Sequence, residues 1–224
     1  MENPALDFEH NILQPIKLIQ VLLKSNCKKF VFTSSGGTIF GEPSVIPTAE
    51  EDYADEPESP YGVAKKRLNE LIKIMLKNSS MKYSILNLSN VYGPRQDPHG
   101  EAGVVSIFAK KMLENKPVTI FGSGNEYRDY IFIDDVVDFI EKIIEKNITG
   151  TYNLCSTRKT KTIEIFELLK KIIDYQYKPI MSNSREGDIF GIELDNSKAS
   201  KISNWKPKTA LIEGLNKTIN HLKK

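Results

Sequence analysis

Two short apolar runs, KKFVFTSS (residues 28–35) and YSILNLSN (83–90), each end in small polar residues and lie between stretches of helical periodicity. Runs of this length, apolar on both faces, fit strands buried on both sides of a parallel sheet. Parallel neighbours require crossover connections, usually helices. Ahead of the first run, Ile12, Ile16, Ile19 and Leu23 recur at helical spacing, with Pro15 marking a first turn or a kink. A loop holding Pro43, Pro47, Pro57 and Pro60 leads into a helix expected over 60–77. Downstream, the pattern predicts a helix near 103–115, strands at VTIF and DYIFI, and a helix VVDFIEKIIEK that Asp134 or Asp135 can N-cap. A strand at TYNLCS, a helix over 162–174, a strand-like IFGIEL, a short helix at 197–202 and a last helix from about 209 complete the chain. Helices alternating with apolar strands imply an α/β fold with a parallel sheet. The segments after about residue 97 are shorter, and are expected to form a smaller α/β part over the C-terminal strand ends, where open sheets bind ligands.

The 224 residues are 40% hydrophobic, enough for a sizeable core. With 31 Lys and Arg against 29 Asp and Glu, the net charge of +2 argues for neither nucleic acid nor membrane partners. Cys27 and Cys155 are the only cysteines, and no C-x-x-C or His/Cys cluster suggests a metal. There is no apolar stretch of membrane-spanning length, and MENPALDFEHN is not a signal peptide, so a cytoplasmic protein is expected.

The segment SPYGVAKKRLNE (59–70) places Tyr61 and Lys65 four apart on a helix with proline at its first turn. That spacing puts phenol and ammonium on one face. By itself it leaves open a proton-transfer pair or a half-buried tyrosine beside a solvated lysine. The neighbours decide. FVFTSSGGTIFGE, SPYGVAKKRLNE, LSNVYGPRQDP, FGSGNEYRDYIFIDDVV and REGD occur in this order. Together they resemble the extended short-chain dehydrogenase/reductase family, and within it the UDP-glucose 4-epimerase group of NAD-dependent sugar-nucleotide epimerases. The resemblance runs from about Asn11 to the C-terminus.

The resemblance implies a partial doubly wound, Rossmann-like parallel sheet. Residues 1–97 would be the C-terminal portion of a NAD-binding domain, and 98–224 mostly a nucleotide-sugar-binding part with some segments returning. It implies that Tyr61 is the base and that Lys65 holds the nicotinamide ribose. A free tyrosine has a pKa of about 10. A nearby ammonium and an oxidised nicotinamide favour the phenolate. Asn11 and Ser34, with Tyr61 and Lys65, are the implied NAD contacts. The usual Ser/Thr donor falls on Gly36, so Ser35, Thr38 or a water must substitute. The same SSGG lacks the Asp-Glu pair of the dehydratase branch. On the substrate side the resemblance implies Asn90 and Arg128 at the pyrophosphate, Arg185 and Asp188 at pyrophosphate and ribose, and Val105 and Phe108 near the base. Two guanidiniums suit a diphosphate, because each can bond two oxygens. Asn87 stands where the family often carries arginine.

The chain has no G-x-x-G-x-x-G after an N-terminal strand, the loop that brings backbone close to a dinucleotide pyrophosphate. The expectation is an N-terminally truncated family member, in which the strand KKFVFTSS becomes a sheet edge. Such a chain is expected to associate, as a homodimer or with a polypeptide supplying the missing segment. Three readings follow: an epimerase, a nucleotide-sugar-binding module without redox chemistry, and an inactive remnant. Decarboxylases and reductases of the family share most of these motifs.

Overall fold

The computed structural model describes residues 4–52, 56–99, 103–185 and 187–223. Helix α1 (Pro4–Phe8) runs through a π-helical turn (Glu9–Leu13) into α2 (Gln14–Leu23). Pro15 follows the π-helical turn within one continuous helical run, so its missing N–H leaves one bond of that run unmade. Strand β1 (Lys29–Ser35), helix α3 (Pro60–Leu76) and strand β2 (Lys82–Leu88) follow, and β6 (Gly150–Leu154) later returns beside β2. Together they form a parallel sheet of order β1-β2-β6. Among the described residues β1 pairs only with β2, so its other edge is open.

Both faces of this sheet are covered. On β2, Ile85 packs with Ile19, Leu68, Ile72 and Leu76 of α2 and α3. Its neighbour Leu86 points the other way, to Val136, Phe139 and Ile143 of α5 (Ile133–Glu145) and to Trp205. This one-residue alternation across a doubly covered sheet is why the strands read as continuous apolar runs. Asn87 lies on the α3 side. It accepts from Asn69 Nδ2 at 3.2 Å and donates to Asn153 Oδ1 at 3.0 Å, and Asn153 Nδ2 reaches the Thr48 carbonyl at 3.0 Å. The unexplained asparagine is thus one rung of a buried amide ladder from α3 through β2 to β6.

The second sheet joins β3 (Asn90–Tyr92), β5 (Tyr127–Phe132) and β7 (Lys159–Lys161), with β3 parallel and β7 antiparallel to β5. Strand β4 (Thr119–Phe121) pairs separately with β8 (Ile180–Ser182). Helices α4 (Val104–Leu113), α6 (Thr162–Ile173) and α8 (Leu211–Leu222) share one core with Tyr92, Tyr130 and Phe132. The short α7 (Ser197–Ser203) precedes Trp205.

Three expectations need correction. The run YSILNLSN is two strands, since β2 ends at Leu88 and β3 begins at Asn90 in the other sheet. Neither Asp134 nor Asp135 N-caps α5: Phe132 occupies that position without a side-chain bond. The Asp135 carboxylate instead accepts from Lys208 N at 2.8 Å and Thr209 N at 3.1 Å, tying the chain that enters α8 to the first turn of α5. IFGIEL is not a strand but makes isolated bridges at Gly191 and Leu194. Its backbone bonds pass from Tyr127, at Phe190 and Ile192, to Thr48, at Glu193, so no continuous ladder forms.

Candidate active site

Helix α3 begins where its sequence requires. Ser59 Oγ accepts from Gly62 N at 3.1 Å, and Pro60 fills the first helical position. The residues Ala64, Leu68, Ile72 and Leu76 form its buried stripe. Tyr61 and Lys65 flank that stripe and are half-buried. Lys65 Nζ lies 5.6 Å from the Tyr61 ring centroid and 5.1 Å from that of Phe32 on β1. The pair is therefore wedged between the helix and the edge strand. Gly62 lets this turn approach the loop after β1, because a Cβ there would stand 2.7 Å from the Thr38 carbonyl oxygen.

That loop and the end of β1 open onto a cavity of about 230 Å³, walled by Ser35, Gly37, Thr38, Ser59, Ser89 and Asn90 on one side. Arg128, Asp188 and Ile189 wall the other. Thr38 Oγ1 donates to the Ser35 carbonyl at 3.4 Å. Gly36 can carry no side chain without rearrangement, since a Cβ would meet Leu194 Cδ1 at 2.5 Å and the Asn87 carbonyl oxygen at 3.1 Å. The family's usual donor position is filled here by packing.

A second cavity, of about 580 Å³, adjoins the first and shares Asn90, Arg128, Asp188 and Ile189 with it. It runs along α4, past Phe121, Tyr130 and Arg185. Arg128 Nη1 donates to the carbonyls of Tyr127 at 2.9 Å and Phe190 at 3.3 Å, and Nη2 to that of Ile189 at 2.9 Å. The guanidinium thus fixes the segment that divides the cavities. The Arg185 guanidinium stacks 3.9 Å from the Phe121 ring centroid, which occupies one face and leaves its edges for oxygen ligands. Burial pushes the Tyr130 phenol up to about 12, against the opposing pull of Arg128, so it is neutral at ordinary pH.

Beside Arg128, Asp129 is fully buried and accepts from Ser156 N and Oγ, both at 2.7 Å, and from Thr157 N at 2.8 Å. Desolvation raises its pKa to about 6 despite those bonds. This carboxylate ties the turn between β6 and β7 to β5, on which Arg128 stands.

The expected residues distribute unevenly. Ser35, Thr38, Asn90, Arg128 and Asp188 meet at the narrow cavity, and Arg185 and Phe108 line the wide one. Tyr61 and Lys65 line neither but stand next to Ser59, a wall of the narrow cavity. Val105 is a correction: at 1% exposure it is core, and lines neither cavity. The face of α4 that does is Val104, Ile107, Phe108 and Lys111, at i, i+3, i+4 and i+7. Asn11 also lines neither. It donates to the Asp7 carbonyl at 3.2 Å and to Asp7 Oδ1 at 2.8 Å within its own helical stretch. Glu186 of REGD lies outside the described residues. Sequence reasoning missed Glu42, Ser89, Lys111, Phe121, Glu126 and Tyr130; only Lys111, four residues after Ile107, carried a periodic signal.

For a dinucleotide, the fit is to one end. Ser34 and Ser89 are buried, and among the described residues neither hydroxyl has a hydrogen-bond partner. With Tyr61 and Lys65 they suit a nicotinamide riboside. The sequence offers no glycine-rich loop for the dinucleotide pyrophosphate.

Comparison with known proteins gives a consistent picture. Residues 1–155 match the family model for the NAD dependent epimerase/dehydratase family. The chain is 39% identical over 224 residues to a putative UDP-glucose 4-epimerase of Methanocaldococcus jannaschii, covering 100% of this chain and 72% of that one. The UDP-glucose 4-epimerase of Thermotoga maritima, solved with UDP-glucose, superposes with a TM-score of 0.93 at 40% identity, over 99% of this chain and 72% of that chain. The Thermus thermophilus UDP-glucose 4-epimerase in complex with NAD gives 0.91 at 32% identity, with coverage of 99% and 72%. No helix among the described residues is long and apolar enough to cross a membrane.

Proposed function

Because the chain belongs to the NAD dependent epimerase/dehydratase family, we propose that it is a nucleotide-sugar 4-epimerase acting on a UDP-sugar with NAD. The observation that carries this reading is the pair Tyr61 and Lys65, held between α3 and β1 beside a cavity that continues past Arg128 into a larger one. The sugar occupies the narrow cavity, and the diphosphate lies at the junction, where Asn90 and Arg128 stand. The nucleoside extends into the wide cavity, with Arg185 and Asp188 on its wall. Residues 98–224 are mostly the substrate-binding part, with α5, β6 and the α7–Trp205 segment returning to the first sheet.

Bound NAD supplies a reversible hydride acceptor, so that a sugar carbon can give up hydride and receive it again on its other face. Tyr61 takes the hydroxyl proton at its phenolic oxygen and returns it when the alcohol re-forms. Lys65 favours the phenolate by its charge and holds the nicotinamide ribose. Thr38 and Ser35 supply hydroxyls at the cavity wall for the reacting oxygen, in place of a side chain at Gly36. Neutral Tyr130 acts as a hydrogen-bond donor or acceptor toward the nucleotide.

The test is interconversion of UDP-galactose and UDP-glucose in the presence of added NAD. Tyr61→Phe should lower the rate by at least about 100-fold, the scale of a lost general base, with UDP affinity unchanged. A Tyr61→Phe variant that keeps its rate would refute the assignment of the base. Absence of interconversion by the wild-type chain, despite tight UDP-sugar binding, would leave the binding-module reading in its place.

A further inference from the structure

The wide cavity holds a cation for which the diphosphate has no use. Arg128 and Arg185 already provide two guanidiniums on its walls, and Lys111 adds an ammonium from α4. Lys111 is half-buried, and among the described residues no carboxylate pairs with it, whereas its neighbour Lys110 bonds Glu114 at 3.0 Å. Of the acids lining the cavity, Glu126 is engaged by Ser123 N at 2.9 Å and Gly124 N at 2.8 Å, Glu42 accepts from Phe190 N, and Asp188 stands at the junction with the narrow cavity. The amine is thus left to face the cavity.

Its position along the cavity follows from the helix. The N-terminal end of α4 lies against the β3 side of the site, since a Cβ on Gly103 would stand 3.1 Å from Gln96 Nε2, which itself bonds the Val91 carbonyl at 3.1 Å. Asn90, at the junction of the two cavities, begins that strand. Lys111 is seven residues beyond Val104, about 10 Å further along the helix axis at 1.5 Å per residue. A nucleoside diphosphate with its phosphates at the junction places its base at about that distance. The edge of a pyrimidine most remote from the ribose is the C4 edge. An ammonium has three donors and no acceptor, so it pairs with the O4 carbonyl of uracil and not with the amino group that cytosine carries at the same place.

Resting on the nucleotide-sugar reading above, we propose that Lys111 determines nucleobase specificity, selecting a 4-keto pyrimidine by donating a hydrogen bond to O4. It binds substrate at the end far from Tyr61 and takes no part in the proton transfer.

The experiment is calorimetric titration of the wild-type chain, Lys111→Met and Lys111→Arg with UDP and with CDP, with thermal melts to confirm folding. The wild type should prefer UDP. Lys111→Met should weaken UDP binding by about 10-fold or more, the scale of one charge-assisted hydrogen bond, and leave CDP binding nearly unchanged. Lys111→Arg, which keeps the donors, should retain most of the preference. If Lys111→Met weakens both nucleotides equally, the lysine acts only through charge and the inference falls. It also falls if the UDP/CDP ratio is unaltered in a folded variant. If the wild type binds neither nucleotide, the nucleotide-sugar reading itself fails, and that result is distinct from a wild type that binds UDP with a selectivity independent of Lys111.

Discussion

Replacing Gly62 by alanine should reverse the usual sign of that substitution. Inside a helix, Gly→Ala normally stabilises by about 0.5–1 kcal/mol, because glycine loses more backbone freedom on folding. At Gly62 the added Cβ would stand 2.7 Å from the Thr38 carbonyl oxygen, 2.8 Å from Pro57 Cβ and 3.3 Å from Ser59 Oγ. The first two contacts lie inside any tolerated approach, and neither belongs to the free end of a flexible side chain. Relief requires α3 and the loop after β1 to separate by several tenths of an ångström. Overpacking of this kind costs about 1–3 kcal/mol. Set against the propensity gain, the net loss is about 0–2.5 kcal/mol, centred near 1, or a fall in Tm of up to about 10 °C for a chain of this size. The same separation moves Tyr61 away from Thr38, so epimerisation should fall more than UDP affinity does. Circular-dichroism melts and the UDP-galactose assay read the two effects. A Gly62→Ala variant that melts above the wild type would show that the loop and helix do not approach as described, and the placement of Thr38 beside Tyr61 would fall with it.

Asn87→Ala removes a fully buried side chain, strands Asn153 Oδ1 and takes one acceptor from Asn69 Nδ2. At about 1–3 kcal/mol for the unsatisfied Asn153 oxygen, urea denaturation should show a loss of at least about 1 kcal/mol; a change below 0.5 kcal/mol, on the order of an ordinary surface substitution, would contradict the ladder. Asp129 sets a pH dependence. Its folded pKa is raised from 3.8 to about 6, mainly by burial, so the native state holds the proton more tightly than the unfolded chain does. The penalty of the buried charge is absent below pH 3.8, grows between there and about 6, and is fully present above. Relative to Asp129→Asn, wild-type stability should therefore drop by roughly 2 kcal/mol from pH 4 to pH 6.5. A constant difference across that range in urea melts would remove the burial argument.

What was legible in the sequence was local or periodic. Helix α3 announced itself through Ser59, Pro60 and a stripe at i, i+4, and its Tyr61 and Lys65 came with it. Strands β1 and β2 were legible because a sheet covered on both faces leaves no polar alternation to confuse the pattern. What stayed hidden depends on distant chain. Asn87 acquires a meaning only once β6 brings Asn153 beside it. Asp135 looked like a cap because its partners, Lys208 and Thr209, lie more than 70 residues away. On α4 the periodicity was visible but its phase was not, so Val105 was expected where Val104 and Ile107 stand. The strand-like IFGIEL fails for the same reason, since its backbone passes from Tyr127 to Thr48.

The amide ladder has a consequence for how the strands are aligned. Parallel strands buried on both faces are held mainly by apolar packing, which tolerates a two-residue slide because every side chain then returns to its own face. Asn87 and Asn153 are register partners, as are Ser34 and Asn87. Sliding β2 along β6 by two residues would break the Asn87–Asn153 bond, setting the amides opposite Thr151 and Ser89 in one direction and Cys155 and Ile85 in the other. The ladder therefore acts as a detent. It permits one alignment, and in that alignment Ser35, Leu88 and Leu154 finish level with one another. The floor beyond which Thr38 and Asn90 lie, each a few residues past a strand end, is kept from shearing by three asparagines that touch neither cavity.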